Sequence, residues 1–155
     1  MPFRASADDV RRQLSVLLTA WGMPADLVET TATVMVESDL MGVDSHGISM
    51  IMGYEQKHRE GRIDFTAHPE IESETPVAAR VNAHANLGHP VSVFGMELAI
   101  KKAKQIGVGV VSVHNSHHFG AAGYYARIAA EQGVIGLVAS STRGITVVPT
   151  RASQP

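Results

Sequence analysis

Three of the chain's eight histidines, His114, His117 and His118, fall inside the stretch VSVHNSHHFGAAGYYARI at 111–128. Ordinary surface loops favour Asn, Asp, Ser and Pro. Histidines in a Gly- and Ala-rich hinge therefore raise three readings: metal binding, proton chemistry or packing. A second cluster, GVDSHGISM at 42–50, sets Asp44, Ser45 and His46 side by side. Either Asp44 or Ser45 suits a helix N-cap. The first turn of a helix disfavours a cation, which leaves a neutral His46 imidazole able to take a proton, with the Ser45 hydroxyl to orient it or relay the proton.

Metal is the weaker reading. His117 and His118 are adjacent and generally point apart in an extended loop, and neither HExxH nor a local 2-His-1-carboxylate spacing occurs. There are no cysteines, which removes disulfides, thiolate nucleophiles and Cys-containing zinc sites. His84 and His89 flank Asn86 and Gly88 and read as turn residues with local hydrogen bonds; His58 and His68 read as surface positions.

The elements that would hold these clusters follow from periodicity. Ser6 and Asp9 mark a helix start, and Val10, Leu14, Leu17, Leu18 and Trp21 then recur at helical spacing as far as Gly22. A second helix runs from Pro24 to Gly42 and a third from about His46 to Gly61. EIESET and VAARVNA alternate about a Thr75–Pro76 turn, as a hairpin does. Pro90 to Ile106 is helical, with Lys101, Lys102 and Lys104 where the dipole favours cations. GVGVVSV then reads as a strand buried on both faces, Ala121 to Gln132 as a helix and VIGLVAS as a second buried strand, giving a βαβ unit. TVVP suggests a further strand. Ligands in open α/β sheets sit at the carboxyl ends of strands, where the loop HNSHHFG lies. Backbone N–H groups at the start of the following helix favour an anion such as phosphate, and Gly120, Ala121, Ala122 and Gly123 allow close approach. Neither GxGxxG nor a Walker loop occurs, which argues against an ordinary Rossmann or P-loop site.

Bulk properties narrow the class. The 155 residues are 45% hydrophobic and 18% charged, which excludes a disordered tail and fits a globular α/β chain. A net charge of −2 gives no electrostatic reason to expect nucleic acid or an anionic membrane. No run approaches a membrane span, and the start lacks a signal-peptide core, so a cytoplasmic setting is expected. Two regions are expected, helical over 1–62 and α/β over 63–155.

Taken together and in order, the motifs resemble the malate/L-lactate dehydrogenase family, whose NAD(P)-binding fold is not of the Rossmann type and which includes ureidoglycolate and sulfolactate dehydrogenases. The likeness rests on DSHGI followed by Tyr54 and EGRI, on NANLGHPV with AIKKAKQIGVG, and on HNSHHFGAAGYYA with GVIGLVASS and VVPT. It implies reversible hydride transfer between NAD or NADP and a small 2-hydroxy or 2-oxo acid, in a homodimer. By the same likeness Ser45 and His46 form the proton relay, and His118 lies near nicotinamide and substrate as a competing base. Phe119, Gly120, Ala121 and Ala122 form the cofactor loop, with Ser140 or Ser141 on a strand end near the cofactor. Tyr54, Arg62 and Arg143 are expected on the substrate side.

Two features depart from the family pattern. Met50 stands where many members carry an Arg that pairs with the substrate carboxylate, a bidentate contact a thioether cannot make; Arg62 and Arg143 are candidate substitutes. The chain is also about half the family's length, so the expected fold is incomplete at the carboxyl end and the chain alone is expected to be impaired. The reading from another class is a non-catalytic binding or assembly module whose histidines serve structure or a metal.

Overall fold

The computed structural model describes residues 4–141. Helix α1 (Ala7–Ala20) starts at Ser6, whose hydroxyl accepts from the Asp9 backbone N–H at 3.1 Å. Helix α2 (Ala25–Leu40) follows the Pro24 cap and is buried along most of its length. Leu14 and Leu18 of α1 pack on Leu27, Val28, Ala32 and Met35 of α2, and Tyr54, Ile63, Phe65 and Leu87 complete this larger core. Burying apolar area at about 25 cal/mol per Å² makes this helical layer the rigid base for everything above it.

The segment expected as one helix from His46 is broken. Two 3₁₀ turns, Asp44–His46 and Ile48–Met50, precede helix α3 (Ile51–Arg59). The break has a cause in Asp39 of α2, whose carboxylate accepts the Ile48 N–H at 3.0 Å and lies against Gly47. A Cβ at Gly47 would sit 1.8 Å from Asp39 Oδ1, so any larger residue would displace that carboxylate from the Ile48 N–H. His46 accordingly ends a 3₁₀ turn, and the helix-dipole argument made for it loses its helix.

Strand β1 (Glu70–Glu74) pairs antiparallel with β2 (Ala78–Asn82), as the alternating sequence implied. Helix α4 (Gly88–Ile106) then crosses to β3 (Val110–His114), which pairs parallel with β2. The parallel βαβ unit is thus β2–α4–β3, one step earlier than expected. The smaller core, Val81, Ala83 and Val91 with Phe94, Leu98, Val111 and Val113 against it, fills the space between α4 and one face of the sheet.

Helix α5 (Ala122–Glu131) forms as expected, but VIGLVAS does not make a strand among the described residues. Ile135 and Leu137 stand fully exposed there. β3 alternates between exposed and half-buried positions instead of being buried on both faces. Continuous apolar runs form buried strands only where neighbours supply the ladder and the cover, and β3 is a sheet edge here. TVVP lies outside the described residues.

Candidate active site

Both parallel strands end in loops that meet. The loop after β2, at 83–87, and the loop after β3, at 115–121, are laced by backbone bonds: Ala85 N–H to Asn115 O, His117 N–H to Asn86 O, and Gly88 N–H to His118 O, at 2.8, 3.0 and 2.9 Å. Asn86, buried, anchors the assembly by donating to Ala67 O at 2.6 Å. His84, Ala85 and Asn115 take positive φ to make the bends.

The three histidines of the hinge part company. His114 Nε2 lies 2.9 Å from Glu72 of β1, and His117 Nε2 lies 2.7 Å from the Arg62 carbonyl oxygen. Only His118 turns inward, where its Nδ1 lies 2.6 Å from the hydroxyl of the buried Tyr54 on α3. The His46 ring lies 5.2 Å from that of His118, tilted by 37°. Ser45 Oγ is 2.9 Å from His46 Nδ1. Residues 72 positions apart in sequence thus form one cluster in which Ser45, His46, Tyr54 and His118 meet.

The bonds fix a tautomer. The Gly120 N–H can only donate, and it points at His118 Nδ1 from 3.4 Å. Burial pushes the Tyr54 phenol well above its usual pKa, so it stays protonated and its O–H also donates to Nδ1. Nδ1 is therefore an acceptor, and the neutral ring carries its proton on Nε2, which has no hydrogen-bond partner among the described residues. Burial, then the charges of His46 and Lys57, hold His118 below the usual histidine range. The ring is neutral at pH 7 and offers an N–H donor.

Beneath this pair lies a residue that sequence reasoning misplaced. His89 is in the first turn of α4, completely buried, with neither ring nitrogen hydrogen-bonded. It packs edge-on against Tyr54 and His118, at 5.6 and 6.4 Å between ring centres. Burial first, and the neighbouring His118 second, push its pKa down to about 3. Pro90, which suits the first turn of a helix, was the available signal that His89 is helical and not in a turn. His58 is likewise not a plain surface residue: it is half-buried, packed at a tilt of 36° on Phe65 and bonded to Ile63 O at 3.0 Å. His68 is exposed, as expected, beside Asp26.

Gly120 closes the top of the cluster with a φ of +76°, and a Cβ there would press on His89 Nε2 at 3.1 Å. Phe119 stacks on Tyr125, whose hydroxyl donates to the Phe119 carbonyl. The loop then enters α5 at Ala121 with no side-chain cap, leaving the first N–H groups of the helix without a side-chain acceptor, and Gly123 faces open space.

Other expected site residues stand apart. Arg62 pairs its guanidinium with Glu60 and touches the loop only through its carbonyl oxygen. Ser140 and Ser141 are exposed beyond α5 and have no hydrogen bond to the cluster among the described residues. Arg143 lies outside the described residues. Met50 is half-buried against the larger core.

The profile of the malate/L-lactate dehydrogenase family matches residues 5–155. The chain belongs to this family. It is 38% identical to the L-sulfolactate dehydrogenase of Methanothermobacter thermautotrophicus over 98% of this chain and 44% of that protein. It is 39% identical to the malate/(S)-sulfolactate dehydrogenase of Methanothermus fervidus over 88% of this chain and 40% of that one. The crystal structure of malate dehydrogenase from Entamoeba histolytica superimposes with a TM-score of 0.83 at 34% identity, covering 86% of this chain and 37% of that one. The chain therefore spans less than half the length of these relatives.

Proposed function

We propose that the protein carrying this chain is an oxidoreductase that moves a hydride between NAD or NADP and C2 of a small 2-hydroxy or 2-oxo acid. The observation that carries the reading is the pairing of two imidazoles with unlike roles, 5.2 Å apart. Reducing a 2-oxo acid needs a hydrogen-bond donor that polarises the carbonyl and a group that delivers the proton. His118, locked by Tyr54 with its proton on Nε2, is built as the polarising donor. His46, backed by the Ser45 hydroxyl, is the proton donor in reduction and the base in oxidation. His118 is the poorer base because Nδ1 already accepts two bonds, and protonating it would set Nδ1–H against the Gly120 N–H and turn the Tyr54 hydroxyl from donor to acceptor.

The dinucleotide supplies the hydride and accepts it back. Its anionic pyrophosphate suits the uncapped start of α5, where Gly120, Ala121 and Ala122 let it approach the backbone and Phe119 walls one side. A homodimer in a cytoplasmic setting belongs to the same proposal. The alternative of a metal-binding module finds no group of three His, Asp or Glu residues able to hold a metal among the described residues.

The test is reduction of oxaloacetate, pyruvate and sulfopyruvate followed by the loss of NADH or NADPH absorbance. His46→Ala is expected to lower kcat by roughly 10²- to 10⁴-fold, the usual contribution of a general acid, with cofactor binding intact. Full turnover by that variant removes His46 from the role.

A further inference from the structure

A 2-oxo acid brings a carboxylate that is costly to desolvate without a cationic partner. The described cations near the cluster are few. Arg62 is engaged by Glu60, and Met50, at the start of α3, is apolar.

Lys57 has the right placement. Residues 50, 54 and 57 fall on one stripe of helical surface, because positions three and four apart are neighbours. Tyr54, whose hydroxyl holds His118, is the middle member of that stripe. Lys57 stands one turn further along it, half-buried and with no ion pair among the described residues. Across from it the His117–Arg62 contact at 2.7 Å ties the histidine loop to the end of α3. The positive charge of Lys57 is also felt at His118, where it adds to the forces keeping that ring neutral.

We infer that Lys57 is a specificity-determining residue that pairs with the carboxylate of the substrate beside the His46–His118 cluster. This inference rests on the functional reading above and adds to it the recognition of the acid group. A single ammonium makes a point-charge contact, not a bidentate one, so it tolerates more than one acid geometry at the reacting carbon.

The test is Lys57→Met in the whole protein that carries this chain, with three readouts. The first is the KM for pyruvate, expected to rise roughly ten- to a hundred-fold, as loss of one charge-assisted hydrogen bond implies, while kcat changes little. The second is the KM for methyl pyruvate, which lacks the charge and is expected to stay unchanged. The third is binding of oxalate followed by calorimetry or by the His118 imidazole signals, expected in the unaltered chain and lost in the variant. Adding Met50→Arg to Lys57→Met, which returns a cation to the same helix stripe, is expected to recover part of the loss.

The outcomes separate the two ideas. An unchanged KM for pyruvate, or equal losses for the acid and its ester, overturns the role of Lys57 and leaves the dehydrogenase reading standing. No turnover of any 2-oxo acid, with oxalate bound by the unaltered chain and not by the variant, removes the dehydrogenase reading and leaves the anion site at Lys57. No turnover and no oxalate binding removes both.

Discussion

His89 shows most plainly how burial alone sets the chemistry of a residue. Its two ring nitrogens have no hydrogen-bond partners, a deficit that costs on the order of 1–3 kcal/mol. Its folded pKa, about 3, lies below that of an exposed histidine, near 6.5. The unfolded chain therefore binds the extra proton first. The stabilising share of a neutral His89 is complete above about pH 6.5 and is lost as the pH falls toward 3. His118, also held low, acts in the same direction. At about pH 5 the histidine at 89 alone should remove roughly 2 kcal/mol of stability relative to pH 8. His89→Leu, close in volume and free of orphaned polar atoms, should flatten that fall and leave stability at pH 8 equal or higher. Urea melts at the two pH values decide it, and an unchanged slope in the variant would mean that His89 is solvated or paired. The sequence brought Ser45, His46 and His118 forward because Ser–His adjacency and clustered histidines are visible in one dimension. It could not reveal that Tyr54 fixes the tautomer of His118, because that contact joins positions 64 apart. Nor could it reveal Asp39, whose part in shaping the 44–50 segment depends on one close approach to Gly47.

Elements whose stability is local were legible; those that depend on partners were not. The five helices carry their own apolar faces, α1 its Ser6 cap as well, and the hairpin its own turn, so periodicity located each of them. VIGLVAS has the composition of a buried strand, yet without a neighbouring ladder it stays irregular. β1 is the opposite case, a strand with no buried residue that nevertheless forms. Each of its three carboxylates has a side-chain partner: Glu70 with His84 at 2.8 Å, Glu72 with His114 and Arg80 at 2.9 Å each, and Glu74 with Lys102 at 2.7 Å. His114 holds Glu72, and Lys102 holds Glu74, below the usual carboxylate range. This support is present above the ordinary glutamate pKa and disappears as acid protonates the carboxylates through their lowered values. Lys102 is 95% buried and also donates to Thr75 O, so it is no ordinary helix-end lysine. Glu74→Gln leaves that ammonium without its counter-charge. The expected result is exchange of the β1 and β2 amides at least about tenfold faster, with α1 and α2 unaffected, read by hydrogen exchange. Equal acceleration everywhere would show instead that the hairpin and the helical layer unfold as one unit.

At the scale of the whole molecule exposed apolar side chains are scattered singly on the helices, at Val16, Leu40 and Met52, and recur along β3 and beyond α5. The helical layer of α1, α2 and α3 packs around one core, whereas among the described residues β3 has no strand on its outer side, beside the exposed Val108 and Val110, and the chain beyond α5 displays Ile135 and Leu137. Soluble monomers seldom expose contiguous apolar strips next to an unpaired strand edge. These features make this side of the sheet a surface suited to association. The 155-residue chain by itself should then bind the dye 8-anilinonaphthalene-1-sulfonate and elute from a sizing column with a concentration-dependent volume. Ile135→Lys together with Leu137→Lys should reduce both effects. The pair should leave Tm within about 2 °C, because exposed side chains far from the cores contribute within about 0.5 kcal/mol. A large fall in Tm would mean that the Ile135 and Leu137 side chains themselves pack against the domain in solution.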